Sequence, residues 1–274
     1  MTLRDTVRDF APPALVRALR AAFGRGVRYE GEYATWAEAQ RRSEGYAGHD
    51  IAQRVLEAEL KVKQGSAADA RDGVAFGEMQ FELPVLAALA RAAATGSGTL
   101  RVLDIGGAFG RLYRQCKAFL PGIRLSWLVL EQPAYVTLGR QHFQNAELGF
   151  ADDLGELTRE PADALLFCSV LQYFPDPYAL IERGIAAHAR HVVVDRTPCS
   201  ALEQDVACVQ RVPPDIYPAS YPCWIFSRRR LRAALTPGYA MLAAFSDASG
   251  VWRSGGTAFE LCGFVLERDA APRR

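Results

Sequence analysis

The chain has 274 residues, 50% of them hydrophobic and 23% charged, with a formal net charge of +1. That length suits one large α/β domain with an added segment, and the composition excludes a disordered or fibrous chain. A net charge near zero removes any whole-molecule electrostatic case for nucleic acid, and no apolar run approaches the ~18 residues of a membrane span.

Residues 1–30 predict an amphipathic helix. Val16, Leu19 and Phe23 recur at helical spacing after Pro12 and Pro13, and Arg4, Arg8, Arg17, Arg20, Arg25 and Arg28 outnumber the acids Asp5 and Asp9. Such a face suits either peripheral contact with anionic lipid at an inner membrane or plain solvation on the core. Residues 31–75 carry Trp36, a helical run from Ile51 and small-residue turns, so 1–75 is expected to form a helical cap on a main domain spanning 76–274. A helix is predicted over 76–94, with Pro84 bending it or marking its first turn.

Beyond 95 the chain alternates β-rich and helical runs, the pattern of a parallel sheet flanked by helices. Strands are expected at 100–105, 124–130, 147–150, 164–169 and 191–195. Helices are expected at 111–119, 134–144 and 178–188, the last two starting after Pro133 and Pro177. Residues 196–226, rich in proline and aromatics, interrupt this rhythm as a substrate-loop insertion. A helix over 228–235, capped by Ser227, precedes β runs at 239–246 and 258–267. These last two must be antiparallel, because a Gly-rich loop of this length cannot make a parallel crossover.

The segment Asp104-Ile105-Gly106-Gly107-Ala108-Phe109-Gly110 joins the first of these strands to a helix. Gly106, Gly107 and Gly110 let backbone approach a ligand closely. Asp104 would repel a diphosphate and suits a ligand bearing a cationic amino group. The pattern resembles motif I of class I methyltransferases, with Ala108 in place of the middle glycine. Glu131, one residue past the second strand, stands where a carboxylate accepts both hydroxyls of a ribose, with Gln132 beside it. Asp152, Asp153 and Leu154 follow the third strand and resemble the adenine-contacting turn. Ser169, Leu171 and Gln172 follow the fourth and occupy the position of motif IV. A reversed last strand beside the fifth is a feature of the methyltransferase sheet and not of a dehydrogenase sheet.

Residues 29–36, 45–46, 102–110, 131–133, 169–178, 195–198 and 212–222 together resemble a family of methyltransferases encoded among bacterial surface-polysaccharide biosynthesis genes. The resemblance implies a class I Rossmann-like fold, with a seven-stranded, mostly parallel sheet and an antiparallel last strand, and S-adenosylmethionine as cofactor. Its gene context points to a sugar or glycan hydroxyl as acceptor, by association.

A hydroxyl acceptor benefits from a general base. Asp195, ending the fifth strand, is the first candidate and Asp205, in the insertion, the second; an ion pair of Asp195 with Arg196 is the alternative. Arg196, Tyr173, Tyr217 and Tyr221 are candidate acceptor contacts, aromatic faces being suited to sugar rings as well as to core packing. Arg228, Arg229, Arg230 and Arg232 suit either a phosphate or solvent. The four histidines show no ligand spacing and the six cysteines no C-x-x-C pair, so no metal site is expected and reduced thiols in a cytoplasmic protein are. Two other readings stay open: an NAD-dependent oxidoreductase, which Asp104 and the reversed strand disfavour, and a catalytically silent binding protein that keeps the fold.

Overall fold

The computed structural model describes residues 26–44, 48–96, 98–213, 216 and 219–269. The expected N-terminal amphipathic helix and its membrane contact lie outside them, apart from its last residues, and so does Tyr217. No helix among the described residues is long and apolar enough to cross a membrane.

The centre is a sheet built from β4 (Thr99–Ile105), β5 (Arg124–Leu130), β6 (Leu148–Ala151), β7 (Ala164–Cys168), β8 (His191–Ser200), β11 (Tyr239–Ser254) and β12 (Thr257–Arg268). Their order is β6-β5-β4-β7-β8-β12-β11, the first five being parallel. β12 runs antiparallel to both β8 and β11. The predicted seven-stranded sheet with a reversed last strand is therefore present. β7, at its centre, is apolar and buried throughout because both faces are covered. Leu165 and Phe167 of β7, with Val192 and Val194 of β8, face α6 (Pro177–Ala186) and α7 (Arg228–Leu235). Leu166 and Val193 point the other way, toward α3 (Leu83–Ala94) and α4 (Arg111–Phe119). Ser227 caps α7, accepting the Arg230 N–H at 3.4 Å, as its position predicts.

Outside this core the structure differs from the expectation of a helical N-terminal cap. Arg28–Tyr33 is a strand, β1, paired antiparallel with β9 (Val206–Arg211), which pairs in turn with β10 (Ser220–Ser227). The insertion is thus a hairpin, and with β1 it forms an antiparallel extension that joins the central sheet where β10 pairs parallel with β8, Phe226 against Cys199 and Ser227 against Ser200. Helix does follow, as α1 (Trp36–Arg41), closed by a capping box between Thr35 and Glu38, and α2 (Gly48–Lys63). Next comes a hairpin of β2 (Asp69–Arg71) and β3 (Val74–Phe76), at the end of the expected helical cap, and α3 begins at Leu83 and not at 76. Asp72 and Gly73 both have positive φ, 52° and 80°. That is the two-residue turn for which an Asp-Gly pair is suited, and Pro84 sits in the first turn of α3.

Candidate active site

The carboxyl ends of the parallel strands open into one cavity of about 1960 Å³. Taken in sheet order, its floor carries Asp152 after β6, Glu131 after β5, Gly106 after β4, Ser169 after β7 and Arg196 in β8. The inserted sheet and the β2–β3 hairpin wall it in. Five non-glycine residues among those described have positive φ, and four of them, Asp72, Ala108, Ser169 and Arg196, line this cavity. Strained backbone of this kind persists only where surrounding structure over-determines it, which makes the cavity the candidate functional region.

The β4–α4 loop explains its glycines. Gly106 has φ 72°, and a Cβ there would overlap Val170; at Gly107 it would overlap the Asp104 carboxylate. Gly110, φ 80°, is the N-cap of α4 and lies against Leu148. Ala108 takes φ 47°, so the motif's middle position is left-handed with a side chain present, a conformation costing on the order of 1 kcal/mol. Asp104 is 1% exposed. Its Oδ2 accepts the Trp127 indole N–H at 3.1 Å, while Oδ1 is buried without a partner. Burial pushes this acid up to about 7; the indole bond opposes the shift and the nearby Glu131 charge adds to it. A cation arriving beside this group would find a carboxylate short of positive partners.

Glu131 is also raised by burial, against hydrogen bonds from the Gln132 and Ala108 amides. The Gln132 N–H donates to it at 2.8 Å. One carboxylate therefore buttresses the glycine loop from the next strand. Gln132 is the N-cap of α5 (Pro133–His142), and it and Asp152 both face the cavity.

A buried ionic clamp, invisible to the sequence reading, ties the hairpin to this loop. Arg111 directly follows Gly110. Its Nε and Nη2 hold Asp69 at 3.1 and 2.8 Å, its Nη1 holds Glu82 at 2.7 Å, and its Nη2 reaches the Gln80 carbonyl at 2.7 Å. Glu82 also accepts Arg196 at 2.6 Å and Arg71 at 3.3 Å. These cations outweigh desolvation and hold Glu82 below its ordinary range. Each fork needs its partners, since removing one would strand a buried charge at a cost of about 3–5 kcal/mol.

No known family profile and no curated protein matches the chain. Solved structures do. The [4+2]-cyclase SpnF superposes with a TM-score of 0.50 at 12% identity, over 81% of this chain and 95% of that one. The N-terminal domain of EvdMO1, crystallised in the presence of SAH and D-fucose, gives 0.47 at 21% identity, over 81% and 96%. The N-methyltransferase NodS from Bradyrhizobium japonicum, in complex with S-adenosylhomocysteine, gives 0.44 at 14% identity, over 81% and 98%. The chain has the Rossmann-like methyltransferase fold.

Within that fold, several residues picked from the sequence sit elsewhere than expected. Leu171 is fully buried in the core between β7 and α6 and does not reach the cavity. Gln172 is buried beneath it, donating to Ser169 Oγ at 3.2 Å. Val170, Phe174 and Cys168 line the wall in their place. Asp153 is spent on capping a 3₁₀ turn, accepting the Gly155 N–H at 2.7 Å. Asp195 is buried below the floor, 3.6 Å from Arg196 Nε, so the ion-pair alternative describes its surroundings; burial raises it to about 6, against the pull of Arg196. Asp205 faces away from the cavity. It accepts Tyr178 Oη at 3.0 Å, the Ser227 N–H at 2.7 Å and Arg230 at 2.6 Å, so its lone pairs are taken and it staples the insertion to α6 and α7. Arg228 pairs with Glu260 at 2.8 Å, Arg229 with Glu203 at 2.5 Å and Arg230 with Asp205 at 2.6 Å, so three of the four arginines of α7 already have acidic partners.

Tyr173, Tyr221 and Arg196 do line the cavity. The two rings meet edge to face, 5.2 Å apart, and Gln210 joins them, accepting Tyr173 Oη at 3.0 Å and donating to Tyr221 Oη at 3.2 Å.

Proposed function

We propose that the chain is an S-adenosylmethionine-dependent methyltransferase whose acceptor is a hydroxyl of a sugar or glycan intermediate in surface-polysaccharide assembly. The observation that carries the cofactor assignment is Asp104, a buried carboxylate with an unsatisfied oxygen behind a turn whose Gly106 and Gly107 leave no room for a Cβ, next to Glu131 at the adjacent strand tip. Two acids so placed favour a cationic nucleoside and disfavour a diphosphate, which speaks against NAD. The residues present fit the cofactor: Gly106 and Gly107 against its amino-acid portion, Glu131 on the ribose hydroxyls, and Asp152 with Leu154 at the adenine end.

Bound there, S-adenosylmethionine supplies a methyl carbon already activated by its sulfonium, so the chain's work is to align an acceptor and exclude water. The cavity supports a sizeable acceptor. At about 1960 Å³ it exceeds the ~300–1,000 Å³ usual for a single small molecule. Its free end, over β7 and β8, is walled by Tyr29, Trp36, Tyr173, Tyr221 and Trp252, rings suited to the apolar faces of sugars. The sugar class and the polysaccharide context rest on this wall and on the segment resemblances. Six buried free cysteines agree with a cytoplasmic setting.

A second reading keeps cofactor binding without methyl transfer, since the fold does not dictate the chemistry and one structure sharing it is a cyclase. Thermal shift and calorimetry with S-adenosylmethionine, S-adenosylhomocysteine and NAD test the cofactor. Binding of the first two and not the third is expected; saturation by NAD alone would overturn the assignment. Mass spectrometry of glycans from cells with and without the gene tests the reaction, a deficit of one methylene marking the product.

A further inference from the structure

We infer that Asp72, at the tip of the β2–β3 hairpin, is the general base that takes the proton of the acceptor hydroxyl. This rests on the methyltransferase reading and deepens it. Asp72 lines the cavity and is exposed, and no hydrogen bond or ion pair holds its carboxylate among the described residues. Its neighbour Arg71 shares the Glu82 carboxylate with Arg196 of β8, at 3.3 and 2.6 Å, which places the hairpin tip beside the end of β8, at the acceptor end.

The other carboxylates on the wall are engaged or distant. Glu30 and Glu44 pair with Arg211, at 2.5 and 3.7 Å, and Glu59 pairs with Arg114. Asp104 and Glu131 belong to the cofactor end, and Asp152 lies beyond β6 at the far side of the floor. Both bases expected from the sequence, Asp195 and Asp205, are turned away from the cavity and paired.

The clamp gives the hairpin its purpose. Arg111 begins the helix that follows the glycine loop, and it grips Asp69, three residues before Asp72. Through Glu82 the same clamp reaches Arg71, the immediate neighbour of Asp72, and Arg196. The hairpin tip is thereby fixed relative to the loop that holds the methyl donor, the condition a positioned base requires. During transfer the acceptor oxygen forms the new bond to the methyl carbon with its lone pair. The carbon–sulfur bond breaks with its electrons going to sulfur, and the hydroxyl proton passes to an Asp72 oxygen and then to solvent.

Asp72 also suits the turn, so the test separates turn from base. Asp72→Asn and Asp72→Gly both preserve a two-residue turn with positive φ and remove the carboxylate. The full chain and both variants are titrated calorimetrically with S-adenosylhomocysteine, and methyl-labelled S-adenosylmethionine is incubated with a glycan fraction from cells lacking the gene. The expected result is S-adenosylhomocysteine affinity within about 2-fold of the parent, label transfer reduced at least ~100-fold, and restoration by added formate in Asp72→Gly. Formate replaces the missing carboxylate and repairs no turn, so this readout would not move for a structural role. Label transfer within about 3-fold of the parent in both variants, at unchanged affinity, overturns the base and leaves the methyltransferase reading intact. Failure of the parent chain to bind S-adenosylhomocysteine overturns both.

Discussion

Replacing Asp104 by Asn tests the electrostatic core of the site without reference to any acceptor. Asp104 sits near 3.8 when unfolded and is raised to about 7 by burial in the folded chain. Between those values the unfolded chain has released its proton and the folded chain has kept it, so stability falls as pH rises across this window and levels off above 7. Full ionisation of this one group costs on the order of 4 kcal/mol, of which about 3 is lost between pH 5 and pH 8. Asparagine keeps an oxygen for the Trp127 indole and cannot ionise. Urea unfolding at pH 5 and pH 8 should therefore show the variant gaining about 3 kcal/mol on the parent over that interval. Glu59, raised to about 7 by burial, and Asp195, raised to about 6, tilt both proteins the same way and cancel in the difference. A cationic ligand reverses the preference, because it favours the ionised acid. Cofactor binding to the parent at pH 6 should release close to one proton, read from calorimetry in buffers of different ionisation enthalpy, and binding to the variant should be weaker and release none. A stability difference that is the same at pH 5 and pH 8 would refute the reasoning at its root.

Glu131→Gln should weaken S-adenosylhomocysteine binding by roughly 10- to 100-fold in calorimetry, through loss of a charged acceptor, with no loss of Tm at neutral pH, because the substitution removes a charge that burial disfavours. Gly106→Ala places a Cβ against Val170 at φ 72°; urea unfolding should show a loss of about 2–4 kcal/mol. Asp205→Ala removes the acceptor shared by Tyr178, Ser227 and Arg230; it should cost about 2–4 kcal/mol of stability and leave S-adenosylhomocysteine affinity unchanged, and a loss of affinity at unchanged Tm would restore it to the site.

The parts of the site that were legible in the sequence are those governed by local rules. β5, α4 and α7 fall at their predicted bounds, because a strand buried on both faces reads as an apolar run and a helix start announces itself by its cap. The glycine-rich motif singled out Asp104, and the rule that ligands bind beyond the carboxyl ends of parallel strands singled out Glu131 and Asp152; all three line the candidate cavity. Past β7 the rule holds for Ser169 and misses at Leu171 and Gln172, where a 3₁₀ turn spans Leu171–Tyr173. One turn there sends Val170 to the cavity and Leu171 to the core, and linear order cannot say which side chain goes where. β8 runs five residues past its predicted end because Pro198 reads as a breaker. Pairing with β7 stops at Asp195 and pairing with β10 begins at Cys199, so on that side Pro198 has no strand neighbour to miss its N–H.

The hidden remainder is non-local. β1 pairs Arg28 with Arg211, and Arg111 finds Asp69 and Glu82 across 42 and 29 positions. Nothing in the local sequence distinguishes those acids from solvated ones. The one local trace was Asp72-Gly73 itself, a pair suited to a tight hairpin between short runs. Read as a turn, it predicts only where the chain reverses. Once the clamp on Arg111 is known, the same two residues mark the place where a tight turn carries a carboxylate to the acceptor end of the cavity, held there by the helix that begins at the cofactor loop.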